Sequence, residues 1–364
     1  PIENGKLEEL FSIMQWVDPT VLGSWQSFEE NYIVRVTGTN IIDYYKNVNE
    51  LHERLMNACI VKRRTDPDVS QFMPTVEEYN VYIKLDHRTR ELYRRVTEDI
   101  LQAIYKSGPG GGSDLAAFYA GDKDSDSSGG LGELGSRLVG ASLLLASPEL
   151  VRDSAWRSEA SGGEEGSKYA KTLSYALRDL PEPFYGVKLE ACTELAIDYL
   201  KEDPRHKVII FSRFKGILPL LQKELSEYNS VLFTGDMNGK QRGKAIAQFT
   251  NDPDCRLFLS SDAGGYGVDL YAASHLINYD LPLSSGVRKQ RNGRHVRASS
   301  TFRHVYIDNL IVEDTIEEYF LSRLDHKDKV AKAALTGVSH PSGNVFDTTD
   351  SLTRFLKNKT EKHK

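Results

Sequence analysis

Five short apolar runs in the second half of the chain constrain its fold more than any other feature: Val208-Ile209-Ile210-Phe211, Val231-Leu232-Phe233, Leu257-Phe258-Leu259, Leu276-Ile277-Asn278-Tyr279 and Val305-Tyr306-Ile307. Each is too short to be a buried helix and shows no polar face. Stretches with helical spacing separate them, at 215–228, 239–250 and 284–297. Strands apolar on both faces, alternating with helices, predict a parallel sheet covered on both sides. Ligands of such sheets bind beyond the carboxyl ends of the strands. A long helix from Thr315 to Leu335 is expected to close this unit.

The first half reads differently. Leu7, Leu10, Phe11, Met14 and Val17 recur at three and four residues, and Asp18-Pro19 ends that helix, because Pro disfavours helix in the residue before it. A charged helical stretch over 40–60 runs into Lys62-Arg63-Arg64. Alternation of Tyr79, Val81, Ile83 and Leu85 predicts a strand, and a helix follows over 87–106. Residues 107–136, with Gly110-Gly111-Gly112, and 158–167 hold too few apolar side chains to offset chain entropy. A short buried helix is expected between them, at 137–150. The sequence thus divides into a mainly helical linking or protrusion region (1–106), a Gly/Ser-rich insert with a short helix (107–170), an α/β lobe (171–335) and a polar tail frayed in part (336–364).

A length of 364 residues suggests about two domains, and 40% apolar with 27% charged residues is the composition of an ordinary soluble protein. The net charge of -6 excludes a uniformly basic coat but leaves room for a local basic groove. Three cysteines and nine histidines show no metal-ligand spacing, so no metal site is expected. Sparse cysteines read as reduced thiols, which implies an intracellular protein of the cytoplasm, nucleoid or nucleus. No apolar run approaches the roughly 18 residues of a membrane helix. The chain opens at Pro1 without Met and reads as a piece of a longer polypeptide.

Two segments carry chemistry. Ser260-Ser261-Asp262-Ala263-Gly264-Gly265-Tyr266-Gly267-Val268-Asp269-Leu270 is a glycine-rich turn after a strand, and Gln290-Arg291-Asn292-Gly293-Arg294-His295-Val296-Arg297 follows it. Arg294 and Arg297, three apart, are expected on one helix face. Guanidinium forks beside a phosphate-sized gap can neutralise charge on a transferring phosphoryl group. Gly264, Gly265 and Gly267 allow close backbone approach to a ligand; a tight structural turn is the competing explanation. Ser212, Arg213, Gly235, Ser260 and Ser261 fall at strand ends, where small donors suit either phosphate contact or structural capping. Gly235–Gln241 superficially suggests a phosphate loop, but it is one residue short and has Gln241 in place of the magnesium-binding hydroxyl.

Taken in order, these segments resemble the C-terminal part of a Swi/Snf-type ATPase of the superfamily-two helicases. Pro1–Leu10 resembles the end of motif III, Lys207–Phe214 motif IV, and Thr234-Gly235-Asp236-Met237 with Arg242 and Phe249 the block after it. Residues 260–270 are similar to motif V and 290–297 to motif VI. The resemblance implies a RecA-like parallel sheet flanked by helices, preceded by the mainly helical region. It implies Arg294 and Arg297 as trans-acting arginines, with Gln290 orienting them. Gly265, Gly267 and Asp269 would face the nucleotide. Ser212, Arg213, Gly235, Ser260, Ser261 and Gly264 would face the nucleic-acid backbone. ATP and Mg2+ would be held mainly by an N-terminal RecA-like lobe of the same polypeptide, and the further partner would be double-stranded DNA. No phosphate loop or acidic magnesium motif occurs in the chain, so hydrolysis by it alone is not expected. Leu283-Ser284-Ser285 and Arg297-Ala298-Ser299-Ser300 depart from the family pattern, as expected of a divergent relative, viral or bacterial.

Overall fold

The computed structural model describes residues 6–35, 42–58, 66–107, 115, 118–119, 132–161, 168–178, 182–262, 267–336 and 349–362. Lys62-Arg63-Arg64, Gly110-Gly111-Gly112, Gly264 and Gly265 lie outside them.

The expected parallel sheet is present, with strands β3 (Thr75–Ile83), β4 (Val208–Phe211), β5 (Asn229–Phe233), β6 (Cys255–Ser260), β7 (His275–Asn278) and β8 (His304–Val312). They lie in the order β3-β8-β7-β4-β6-β5, every pair parallel. β4 and β7 are buried along their whole length, which explains why they read as unbroken apolar runs. One boundary drawn from the sequence moves. β3, placed with the linking region, is the edge strand of this sheet and pairs with β8 over nine residues. Its alternation marks an edge rather than a half-buried strand, since Tyr79 and Tyr82 are both half-exposed.

Upstream, α1 (Leu7–Val17), α2 (Pro19–Leu22) and α3 (Trp25–Tyr32) form a small bundle with α4 (Val48–Ala58). Asp18 ends α1 and caps α2, accepting from the Thr20 N–H at 2.9 Å. The charged stretch expected as one helix over 40–60 is helix only from Val48, in α4; before it, β2 (Ile42–Tyr45) pairs antiparallel with β1 (Ile33–Arg35). Beyond the short α5 (Pro67–Ser70) and β3 comes α6 (His87–Ser107).

The single helix expected at 137–150 is two helices, α7 (Glu133–Ala146) and α8 (Pro148–Ala160), divided at Ser147-Pro148. Ser147 caps α8 and Pro148 occupies its first position. α7 is no peripheral insert, for its residues from Leu138 to Ala146 are all buried in the core shared with β4 and α6. At Gly140 a Cβ would sit 2.5 Å from Tyr169 Cδ1, so only glycine lets α9 (Lys168–Ala176) approach.

α10 (Val187–Glu202) covers one face of the sheet, and α11 (Ile217–Glu224), α12 (Gly239–Asn251) and α13 (Ser285–Asn292) connect its strands. α14 (Ile316–Thr336) runs past α13 to the upstream bundle, where Val330, Ala331, Ala333 and Ala334 join Leu7, Leu10 and Leu51 in one core. The tail, expected to be polar and frayed, contains α15 (Thr349–Lys362). Leu352 and Leu356, one helical turn apart, are buried in the main core.

Candidate functional site

The carboxyl ends of β4, β6 and β7 meet at one buried guanidinium. Arg291, fully buried, donates from Nε to Asp262 Oδ1 at 2.7 Å and from Nη1 to the Asp280 carbonyl at 2.9 Å. Its charge sits 5.5 Å over the Phe211 ring. Asp280, equally buried, accepts the Ser212 hydroxyl and, at 2.8 Å, the Arg213 N–H. Asn278 extends the polar layer sideways, donating to Asn309 at 2.9 Å and to Asn292 at 3.0 Å. Arg291 therefore ties motifs IV, V and VI together. It was missed as a functional residue because Arg294 and Arg297 are exposed to the argument from spacing, and Arg291 is not. A signal existed, for Arg291 stands four residues after Val287 on the buried face of α13.

Arg294 and Arg297 are not on a helix. α13 stops at Asn292, the Gly293 N–H turns back to the Lys289 carbonyl, and the Arg294 carbonyl accepts the Leu270 N–H at 3.0 Å instead of continuing the helix. Competition from motif V ends the helix early, so the argument from i, i+3 spacing fails. The two arginines nevertheless come together at the rim. Arg294 donates to the Gln290 carbonyl at 2.9 Å and to the Val268 carbonyl at 3.0 Å. Arg297 donates from Nε to Asp269 Oδ1 at 2.7 Å and from Nη1 to the Gly293 carbonyl. Burial, then the charge of Arg297, pulls the pKa of Arg294 down, with Asp269 acting the other way. Gly267 holds a left-handed φ of 67° that a side chain would strain. Gln290 is partly buried, and its carbonyl is the Arg294 acceptor just described.

The residues expected to face nucleic acid divide. The Ser212 hydroxyl, fully buried, is committed to Asp280 and accepts the Phe214 N–H at 3.0 Å. Ser260, also fully buried, donates to the Phe233 and Ser261 carbonyls, and the Ser261 N–H donates to Phe233. The Arg213 guanidinium lies beside Asp280 and over the Phe214 ring. Gly235 is exposed, and its carbonyl accepts from Arg242 at 2.8 Å. The segment that imitates a phosphate loop is a helix cap: Asn238 and Gln241 bond each other's backbone reciprocally at the start of α12.

Ser284, in the segment that departs from the family pattern, caps α13 through the Val287 N–H. Arg288 then clamps α13 to α14 through Asp325 at 2.9 Å and through Asp328.

Residues 1–123 match the SNF2-related domain, and residues 187–299 match the helicase conserved C-terminal domain. The chain is thus similar to SNF2-related proteins over its first third and to helicase C-terminal domains further on. It is 26% identical over 369 residues to a DNA repair and recombination protein RAD54-like of Drosophila willistoni, covering 97% of the chain and 43% of that protein. The Drosophila grimshawi protein of the same description is 26% identical over 347 residues, 92% of the chain and 41% of that protein. The chain thus spans less than half the length of these curated relatives. Among solved structures it is similar to the Sulfolobus solfataricus SWI2/SNF2 ATPase C-terminal domain, with TM-score 0.49 and 19% identity, covering 77% of this chain and 97% of that one. It is also similar to the Sulfolobus solfataricus SWI2/SNF2 ATPase core in complex with dsDNA, with TM-score 0.48 and 20% identity over 96% of this chain and 64% of that one. No described helix is long and apolar enough to cross a membrane.

Proposed function

We propose that this chain supplies the second lobe of an ATP-dependent DNA translocase, with Arg294 and Arg297 as the charges it presents to the nucleotide phosphates. The observation that carries the proposal is the convergence of both guanidiniums at the carboxyl rim, held by motif V acceptors above a rigid buried network. Arg297 is tethered to Asp269, whose side chain is 64% exposed. Such an exposed pair contributes only about 0–1 kcal/mol, so phosphate can displace the carboxylate at little cost. A planar guanidinium then offers two parallel donors to phosphate oxygens. In this role Gln290 and Gly267 are positioning residues: one fixes Arg294 through its carbonyl, the other sets the turn that brings Asp269 to the rim.

ATP and Mg2+ would be held mainly by an N-terminal RecA-like lobe; the side chains here fit the phosphate part of that ligand and supply no phosphate loop. Of the positions expected to meet the DNA backbone, exposed Gly235 is the one best placed to offer a main-chain donor. The buried hydroxyls of Ser212 and Ser260 hold the loops in shape instead.

The test is DNA-stimulated ATP hydrolysis by the two-lobed parent carrying Arg294→Ala or Arg297→Ala. Loss of turnover with retained folding supports the reading; unchanged turnover in both variants overturns it. The chain by itself should hydrolyse no ATP. A binding module without ATPase activity, or a lobe of an RNA helicase, would instead show nucleotide-independent binding or preferential stimulation by RNA over duplex DNA.

A further inference from the structure

We propose that Glu202, His206 and His275 form a site for one divalent transition-metal ion of the zinc class, toward the amino ends of the strands and away from motifs V and VI. Glu202 ends α10, His206 follows four residues later on the approach to β4, and His275 opens β7. Each brings one ligand-capable atom, and the three atoms lie within 4.8 Å of one another. Two imidazoles and one carboxylate are a donor set that zinc accepts, with water completing four-coordination.

The geometry of the histidines favours ligation over packing. The His275 ring is sandwiched, with Tyr199 stacked at 3.8 Å and Tyr306 at 4.9 Å. Both faces are covered, so the ring can act only through its edge nitrogens. Nδ1 lies 2.8 Å from the Ser274 hydroxyl, and Nε2 has no hydrogen-bond partner among the described residues. The His206 Nδ1 donates to the Tyr199 carbonyl at 3.1 Å, which leaves the lone pair on Nε2. A ring nitrogen anchored to a carbonyl while the other stays open is how metal-binding histidines are oriented. Tyr199 thus serves both rings, one through its backbone and one through its phenol. Glu202 Oε2 lies 4.0 Å from Nδ1 of the same His206 ring whose Nε2 stays open, and its side chain, 68% exposed, can swing inward. Zinc bonds of about 2.0–2.1 Å place ligand atoms ~3.4 Å apart, a closure that rotation of Glu202 can supply. The missed signal in the sequence is the Glu202-x-x-x-His206 spacing, whose third member is 69 residues downstream.

The bound ion would pin α10, the approach to β4 and the start of β7 to one another, a structural role independent of the nucleotide reading. The test is titration of the chelator-treated chain with Zn2+, followed by calorimetry, and with Co2+, followed by visible absorption. One equivalent bound at micromolar affinity or tighter is expected, with the intense cobalt bands of a four-coordinate site. Glu202→Gln, on an exposed side chain that the fold does not need, and His206→Asn should each weaken binding roughly tenfold or more. Absence of a saturable equivalent, or affinity unchanged in Glu202→Gln, overturns the proposal.

Discussion

The sheet manages buried ionisable groups in two different ways at two places. At its carboxyl ends Asp262, Asp280 and Arg291 are met by charged or hydrogen-bonding partners: Arg291 meets Asp262 at 2.7 Å, and Asp280 accepts donors from Ser212 and Arg213. Under α10, Asp308 is just as buried, but its partner is a neutral phenol, the Tyr199 hydroxyl at 2.9 Å. Burial raises the Asp308 carboxyl to about 6, and the Tyr199 bond only partly offsets this. The first arrangement fixes a field in place at the end of the sheet that carries motifs V and VI. The second yields its charge to pH. The role proposed for Arg294 and Arg297 calls for the first kind of interior beneath the rim, since a guanidinium can be aimed only from a scaffold that does not rearrange.

The largest effect is expected at the rim itself. In the two-lobed parent, Arg297→Ala should lower DNA-stimulated ATP turnover by about 10³-fold or more, the range of an arginine finger. Stability should change by no more than about 1 kcal/mol, because the Asp269 pair is exposed. Steady-state hydrolysis and urea unfolding of the same variant measure both. A variant that unfolds easily would erase the distinction between rim and floor.

Arg291→Ala is the converse. It leaves Asp262 and Asp280 without their shared cation, and breaking a buried pair in this way costs about 3–5 kcal/mol. Chemical unfolding should show that loss. A cost near that of the Arg297 substitution would mean the network is solvated, and the contrast would fail.

Asp308 probes the other interior. Its folded pKa, about 6, is raised from an ordinary value of 3.8. A raised carboxyl favours the folded state when protonated, so its contribution is fully present below about pH 4 and is lost as pH rises through 6. The shift of roughly two units corresponds to about 3 kcal/mol as an upper bound. Asp308→Asn keeps an acceptor for Tyr199 and should flatten this part of the stability–pH curve, leaving the variant more stable than the parent chain at pH 7. A parallel curve for the two proteins would show that Asp308 is charged throughout.

Much of this fold was legible because β4, β6 and β7 are buried on both faces and advertise it as continuous apolar runs. β3 was not assigned to the sheet. Its residues sit at an edge, most of them in water, and its partner β8 lies more than two hundred residues away, where no local pattern reaches. α7 was underrated for a related reason: Gly135 and Gly140 look like weak helix, yet Gly140 is small because Tyr169 presses against it. At the candidate site the arginines could be picked out by motif, whereas their hold on motif V could not. That hold depends on the Val268 carbonyl, presented by a loop, and a carbonyl leaves no mark in a sequence. The same limit left capping and phosphate contact open for Ser212 and Ser260, whose hydroxyls turn inward to Asp280 and to the Phe233 carbonyl.

The smallest effect separates a resemblance from a cap. Asn238 and Gln241 imitate part of a phosphate loop, yet each satisfies the other's backbone at the first turn of α12. Asn238→Ala removes one side of that exchange and should cost about 1 kcal/mol, the ordinary value for a lost cap. Because the hydrogen bonds of the Arg294 and Arg297 guanidiniums run to Gln290, Val268, Asp269, Gly293 and Val296 rather than to α12, nucleotide affinity of the two-lobed parent should not change. Fluorescent ATP-analogue titration beside thermal unfolding would read both quantities. Weakened nucleotide binding with unaltered stability would move the phosphate-contacting surface from the motif V and VI rim to α12, and would reverse the assignment of which part of the carboxyl edge is scaffold and which is site.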